Sequence, residues 1–100
     1  MQRQKIGGNN MRAIITVLGK DSQGIIYNVT KIVSAYCVNI LDISQTIMSD
    51  NIFAMIMLVD TATISGDYKS MVAELQDYGN ANSYAIHVQR EDVFNAMHRI

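Results

Sequence analysis

One hundred residues set the scale of one domain with one core, and 49% hydrophobic against 17% charged residues places the chain among globular rather than disordered sequences. The formal charge is −1 and two of the eight basic residues, Arg3 and Lys5, precede Met11, so no Lys/Arg cluster exists to displace counterions from a phosphate backbone and direct nucleic-acid binding is excluded. A single cysteine, Cys37, excludes the disulfide-stapled secreted class, and no apolar run approaches a membrane span, so a cytoplasmic protein without membrane contact is expected.

The first ten residues carry two cations but no apolar stretch, unlike a signal peptide. They read as a disordered leader or an upstream start, with a single domain over 11–100. From Arg12 to Gly19, Ala13, Ile15 and Val17 alternate with Ile14, Thr16 and Leu18, predicting a first, central strand. A polar loop, Lys20 to Gly24, leads to Ile25, Val29, Ile32, Val33 and Tyr36 at helical spacing. After Asn39 and Ile40, Leu41, Ile43 and Ile47 alternate with Asp42, Ser44 and Thr46, predicting a strand with one wet face. Asp50 and Asn51 suit a tight turn into the apolar run Ile52–Val59, so the pair reads as a hairpin. Asp60 to Gly66 reads as loop. Tyr68, Met71, Val72, Leu75 and Tyr78 predict a second helix, with Gly79 and Asn80 as its stop signals. Tyr84, Ile86 and Val88 alternate with Ala85, His87 and Gln89 to give a fourth strand, and Asp92 to Ile100 has room for one or two helical turns. The order β-α-β-β-α-β belongs to the α+β class: a ferredoxin-like antiparallel sheet of four strands, strand one beside strand three, both helices on one face. That architecture alone implies no function.

Within this order, Gly19-Lys20-Asp21-Ser22-Gln23-Gly24-Ile25 joins the first strand to the first helix, and Val38-Asn39-Ile40 follows that helix. Together they resemble the ACT domain, with its glycine-containing strand-to-helix loop and Asn-Ile entry into the second strand. Ile14 to Val17, Asn39 to Thr46 and the terminal Phe94-Asn95-Ala96-Met97-His98-Arg99-Ile100 are similar to the stand-alone bacterial proteins of this type. The resemblance covers residues 11–100. It implies a small-molecule sensor, commonly for amino acids, that works as a homodimer and regulates another protein. Related proteins include the glycine cleavage system regulator, whose domains occur in tandem; a single copy implies self-association in place of the tandem.

The loop has a mechanism of its own. The first N–H groups of a helix lack internal partners and carry partial positive charge, so a carboxylate can dock where Gly24, Ile25 and Ile26 begin the helix. Asp21 can pair with an ammonium group, and Asn39, beside Ile40, can both accept and donate. These six residues form the candidate ligand site. Plainer roles stand beside these: Asp21 or Ser22 as a helix cap, Gly24 as turn chemistry, Asn39 as a left-handed helix end. Cys37 reads as a small packed hydrophobe, Met48, Met55, Met57 and Met71 as core and interface fill, and Asp42, Asp67 and Asp77 as solvated charges. His87, His98 and Cys37 have no metal-ligand spacing, and no paired carboxylates, His-Cys dyad or phosphate loop implies catalysis or a cofactor. RNA binding on the sheet needs stacking aromatics, and the first and third strands hold only Phe53.

The second strand lies at a sheet edge in this topology, and Ile40 to Met48 contains no Lys, Arg or Pro to discourage pairing. Two chains joining there, or over an outer face formed by Ile14, Leu18 and part of Ile52–Val59, is the expected association. The alternative function is a protein-protein interaction module that takes no small molecule.

Overall fold

The computed structural model describes residues 11–20 and 24–93. The elements run β1 (Arg12–Lys20), α1 (Ile25–Ala35), β2 (Asn39–Met48), β3 (Ile52–Asp60), α2 (Tyr68–Asn82) and β4 (Ala85–Arg90). The strands form one antiparallel sheet in the order β2-β3-β1-β4, which is the ferredoxin-like arrangement expected from the sequence. Glu91–Val93 is helical, and the other terminal residues, Phe94–Ile100, fall outside the described residues, as do 1–10 and Asp21–Gln23.

The pleat sorts β1 and β3 into two layers. Ala13 lies opposite Val59, Ile15 opposite Met57 and Val17 opposite Met55, and cross-strand partners share a face. All six are buried with Ile86 against Ile25, Val29 and Val33 of α1 and Met71 and Leu75 of α2. Both helices therefore cover this one layer, and each large aliphatic side chain buried there contributes roughly 1.5–3 kcal/mol of apolar transfer. Phe53 also lies in this core, 3% exposed, so no nucleic-acid base can stack on it. On the other layer Ile14 is buried, whereas Leu18 and Ile56 are exposed.

The chain between β2 and β3 turns at Asp50 and Asn51, both left-handed with φ of 66° and 61°. A bulge breaks the β2 alternation: Ile40 pairs with Val59 and Asp42 with Leu58, leaving Leu41 unmatched. The inserted residue puts Ile40 on the same face as Ile43, which pairs with Met57.

Three expectations at the helix ends require correction. The first helix closes on Cys37, not Asn39: Cys37 is left-handed at φ 60°, its N–H donates to Ser34 O at 2.9 Å, and Val38 N–H donates to Val33 O at 3.3 Å. This 6→1 and 5→2 pair with Val33 and Val38 both buried is a Schellman closure. The left-handed turn carries Cys37 out to solvent, so the thiol is exposed rather than packed.

The second helix runs through Gly79 and Asn80 to Asn82 and closes on left-handed Ser83. Gly79 is buried where α2 crosses β4; a Cβ there would stand 2.8 Å from Tyr84 O and 3.0 Å from Ile86 Cγ1. Its role is close approach. Asp67 is exposed, as expected of a solvated charge, and also serves as the N-cap of α2, its carboxylate accepting from Lys69 N–H at 3.4 Å. Tyr36, at the end of α1, ties the helices together by donating from Oη to Glu74 Oε1 at 2.9 Å.

Two measurements check this packing. Gly79→Ala should destabilise the domain although alanine gains about 1 kcal/mol in a helix interior, because overpacking against fixed backbone costs about 1–3 kcal/mol; a raised thermal midpoint would contradict the assigned contact. The hydrogen bond to Glu74, followed by burial, raises the Tyr36 phenol above its ordinary value of 10.0. A raised folded value means stability that is present below pH 10 and lost as pH rises through the folded value. Wild type should therefore lose more stability than Tyr36→Phe across that alkaline window, as read by denaturant midpoints.

Candidate functional site

The sequence-selected residues fall at two places. Gly24 is the N-cap of α1, left-handed at φ 78°, a conformation that glycine adopts without a Cβ penalty. It occupies the capping position expected for Asp21 or Ser22, and among the described residues no side chain caps the first turn. Asn28 Nδ2 instead donates back to Gly24 O at 2.8 Å. Ile25 is fully buried and Ile26 half-buried, so these two offer a ligand their backbone N–H groups rather than their side chains. Asp21 lies outside the described residues.

Asn39 and Ile40 open β2 at the other end of α1. With Cys37 taking the left-handed position, Asn39 is released into the strand and is exposed, while Ile40 packs on the core. Eleven helical residues separate the two groups, a rise of about 16 Å. The register agrees: Gly24 follows the end of β1 where Lys20 pairs with Ile52, and Asn39 pairs with Asp60 beside Arg12, at the far end of the sheet. One chain does not bring the two groups of described residues together.

The Asn39 end carries an open hollow of about 440 Å³ lined by Ser34, Cys37, Val38, Asn39, Asp60 and Thr63. Its walls are fixed by the segment after β3. Ala62 N–H donates to Asp60 Oδ1 at 2.9 Å, Thr63 Oγ1 donates to Cys37 O at 2.9 Å, and Ser65 N–H donates to Tyr36 O at 2.7 Å. Thr61 N–H and Oγ1 both donate to Met11 O, each at 2.6 Å. Reading Asp60–Gly66 simply as loop missed Asp60 and Thr63. The available signal was an acid closing an eight-residue apolar strand and followed by Thr-Ala-Thr, a composition suited to side-chain-to-backbone turns.

Beyond the hollow, β2 is paired on one side only. Its edge exposes Leu41, Ile43, Ile47 and Met48, with Ile47 at 67%. Met55, Met57 and Met71 are core, which leaves Met48 as the methionine of that group on the edge. No helix of the described residues is long and apolar enough to cross a membrane.

Comparison with known proteins meets this geometry. A family model for the ACT domain matches residues 12–89. A UPF0237 protein of Clostridium perfringens is 50% identical over 90 residues, covering 90% of this chain and 100% of that protein. Among solved structures, an ACT domain protein from Streptococcus pneumoniae aligns with a TM-score of 0.71 and 34% identity over 84% of this chain and 93% of that one. A putative glycine cleavage system transcriptional repressor shares the fold at 24% identity, with a TM-score of 0.63 over 79% of this chain and 44% of that one. With the family model spanning Arg12 to Gln89 and the Clostridium and Streptococcus relatives matched over nearly their whole length, the chain belongs to the ACT-domain family.

Proposed function

We propose that this protein is a non-enzymatic regulatory homodimer that binds a small molecule of the amino-acid class at the junction between its two subunits. The observation that carries this reading is the separation of the two ligand-binding groups to opposite ends of α1 in a chain whose nearby β2 edge is unpaired. Antiparallel pairing of two β2 strands about a twofold axis reverses one copy against the other. The start of one β2, with Asn39, then lies beside the far end of the other, where the partner's α1 begins at Gly24. Two equivalent sites result, each incomplete in a single chain.

Side-chain matching selects the register. Pairing Gln45 with Gln45 of the other copy sets Ile43 against Ile47 twice, on the layer that carries the helices, and Asp42 against Met48. A shift that set Asp42 against Asp42 would oppose like charges directly, which is destabilising in a cross-strand pair. Ligand binding at such a junction stabilises the pair by its differential affinity for the associated state, and so changes the surface offered to a regulated protein.

The outer layer, with exposed Leu18 and Ile56, favours a second reading, a protein-binding module without a ligand. A thermal-shift screen of the twenty amino acids separates the two. The sensor reading expects at least one to raise the midpoint at millimolar concentration, and a flat response across the set favours the module.

The junction has its own tests. Light scattering should give twice the chain mass of 11.2 kDa, and Ile47→Lys, at an exposed position that leaves the core intact, should return it to one chain mass. In a Cys37→Ser background, Gln45→Cys should form an intermolecular disulfide under mild oxidation. Ser44→Cys and Thr46→Cys should not, since neither meets its own symmetry mate; equal cross-linking of all three would refute the register.

A further inference from the structure

The hollow at the start of β2 holds more than an asparagine. Asp60 is the one Asp, Glu, Lys or Arg among its six lining residues, and it forms no ion pair among the described residues. Arg12, directly opposite Asp60 on β1, instead places Nε 3.2 Å from Glu91 Oε1. The Asp60 carboxylate is nevertheless oriented, because Ala62 N–H holds Oδ1 at 2.9 Å. Oδ2 remains to accept from a guest.

Its neighbours are biased the same way. Thr63 spends its hydroxyl proton on Cys37 O, so toward the hollow its oxygen acts as an acceptor. Ser34 and the Asn39 carbonyl can accept as well. The hollow also abuts the C-terminus of α1, the end of a helix that carries partial negative charge. A carboxylate, several acceptors and a helix C-terminus around one concave space suit a compact cation with three donors.

We propose that this hollow is an ammonium site in which Asp60 supplies the countercharge and Asn39 and Thr63 accept the remaining protons. The class of ligand is a small primary amine, and about 440 Å³ is within the range of small-molecule sites. The inference rests on the junction reading for the other half of such a ligand: its carboxylate would reach the first α1 amides of the second copy. The two ends of α1 then read the two charges of one zwitterion, and Asp60 takes the role that sequence alone gave to Asp21.

Amide NMR of the full chain tests this with three probes: glycine, which has both charges; glycine methyl ester, which keeps only the ammonium; and N-acetylglycine, which keeps only the carboxylate. Glycine and the ester should shift the Ala62 backbone and Asn39 side-chain signals at millimolar concentration, and N-acetylglycine should not. Asp60→Asn retains the acceptor for Ala62 N–H and removes only the charge, so the fold is kept, and it should weaken the ester response about tenfold or more, the scale of a charge-assisted hydrogen bond. Asp77→Asn, at an exposed position on α2 away from both the hollow and β2, serves as a charge-matched control and should leave the response unchanged. Equal shifts from N-acetylglycine, an undiminished response in Asp60→Asn, or no response to either amine would overturn the ammonium site. A wild-type chain that scatters as a monomer yet shows the ester response would refute the junction while leaving this site in place.

Discussion

The nine-residue ladder between β1 and β3 is the constraint on which the other features depend. It runs from Arg12 opposite Asp60 to Lys20 opposite Ile52, and it fixes at once which side chains enter the core and what stands at each end of the sheet. One end receives the loop to α1, and the other receives the start of β2 and the segment after Asp60. Since β3 also carries β2 and β1 also carries β4, a slip of one residue in this ladder would turn either Ile15 and Val17 or Met55 and Met57 out of the core. The helices then have a single apolar layer on which to rest, and their ends are placed by that layer.

Much of this was legible from residue spacing. Alternation in Arg12–Gly19 and Tyr84–Gln89, and the helical recurrence of Ile25, Val29 and Val33, report which atoms leave water, and burial dominates the choice of element. The helix ends were less legible because their chemistry is decided by neighbours distant in sequence. Gly79 resembles a stop signal until β4 is seen to pass within van der Waals contact of it. Cys37 is a poor left-handed residue by intrinsic preference, yet Val38 must be buried and Thr63 must reach the Cys37 carbonyl, and these contacts place the reversal there. The Leu41 bulge did leave a trace, the adjacent apolar pair Ile40-Leu41 where the alternation changes phase by one residue.

The candidate site shows the same division. Gly24, Ile25, Ile26, Asn39 and Ile40 were selectable from local motifs, but nothing local states that they sit at opposite ends of a helix. Asp60 was hidden for the complementary reason: it is remote from Asn39 in sequence and becomes its neighbour only through the β2–β3 register. Polarity along α1 gives the separation a physical sense. A glycine-capped amino end and a carboxyl end beside an acid that forms no ion pair among the described residues make opposite electrostatic demands.

The unmatched Leu41 bears on how far association can spread. A regular edge strand can template an endless ladder, whereas the bulge at Leu41 leaves Asp42 to Met48 as the regular stretch of this edge, and the proposed twofold contact would use that stretch up on both sides at once. The outermost strand remaining on each flank is then β4, six residues long and closed by Arg90, a poor seed for further growth. In the proposed dimer assembly is therefore finite, a closed particle rather than a filament.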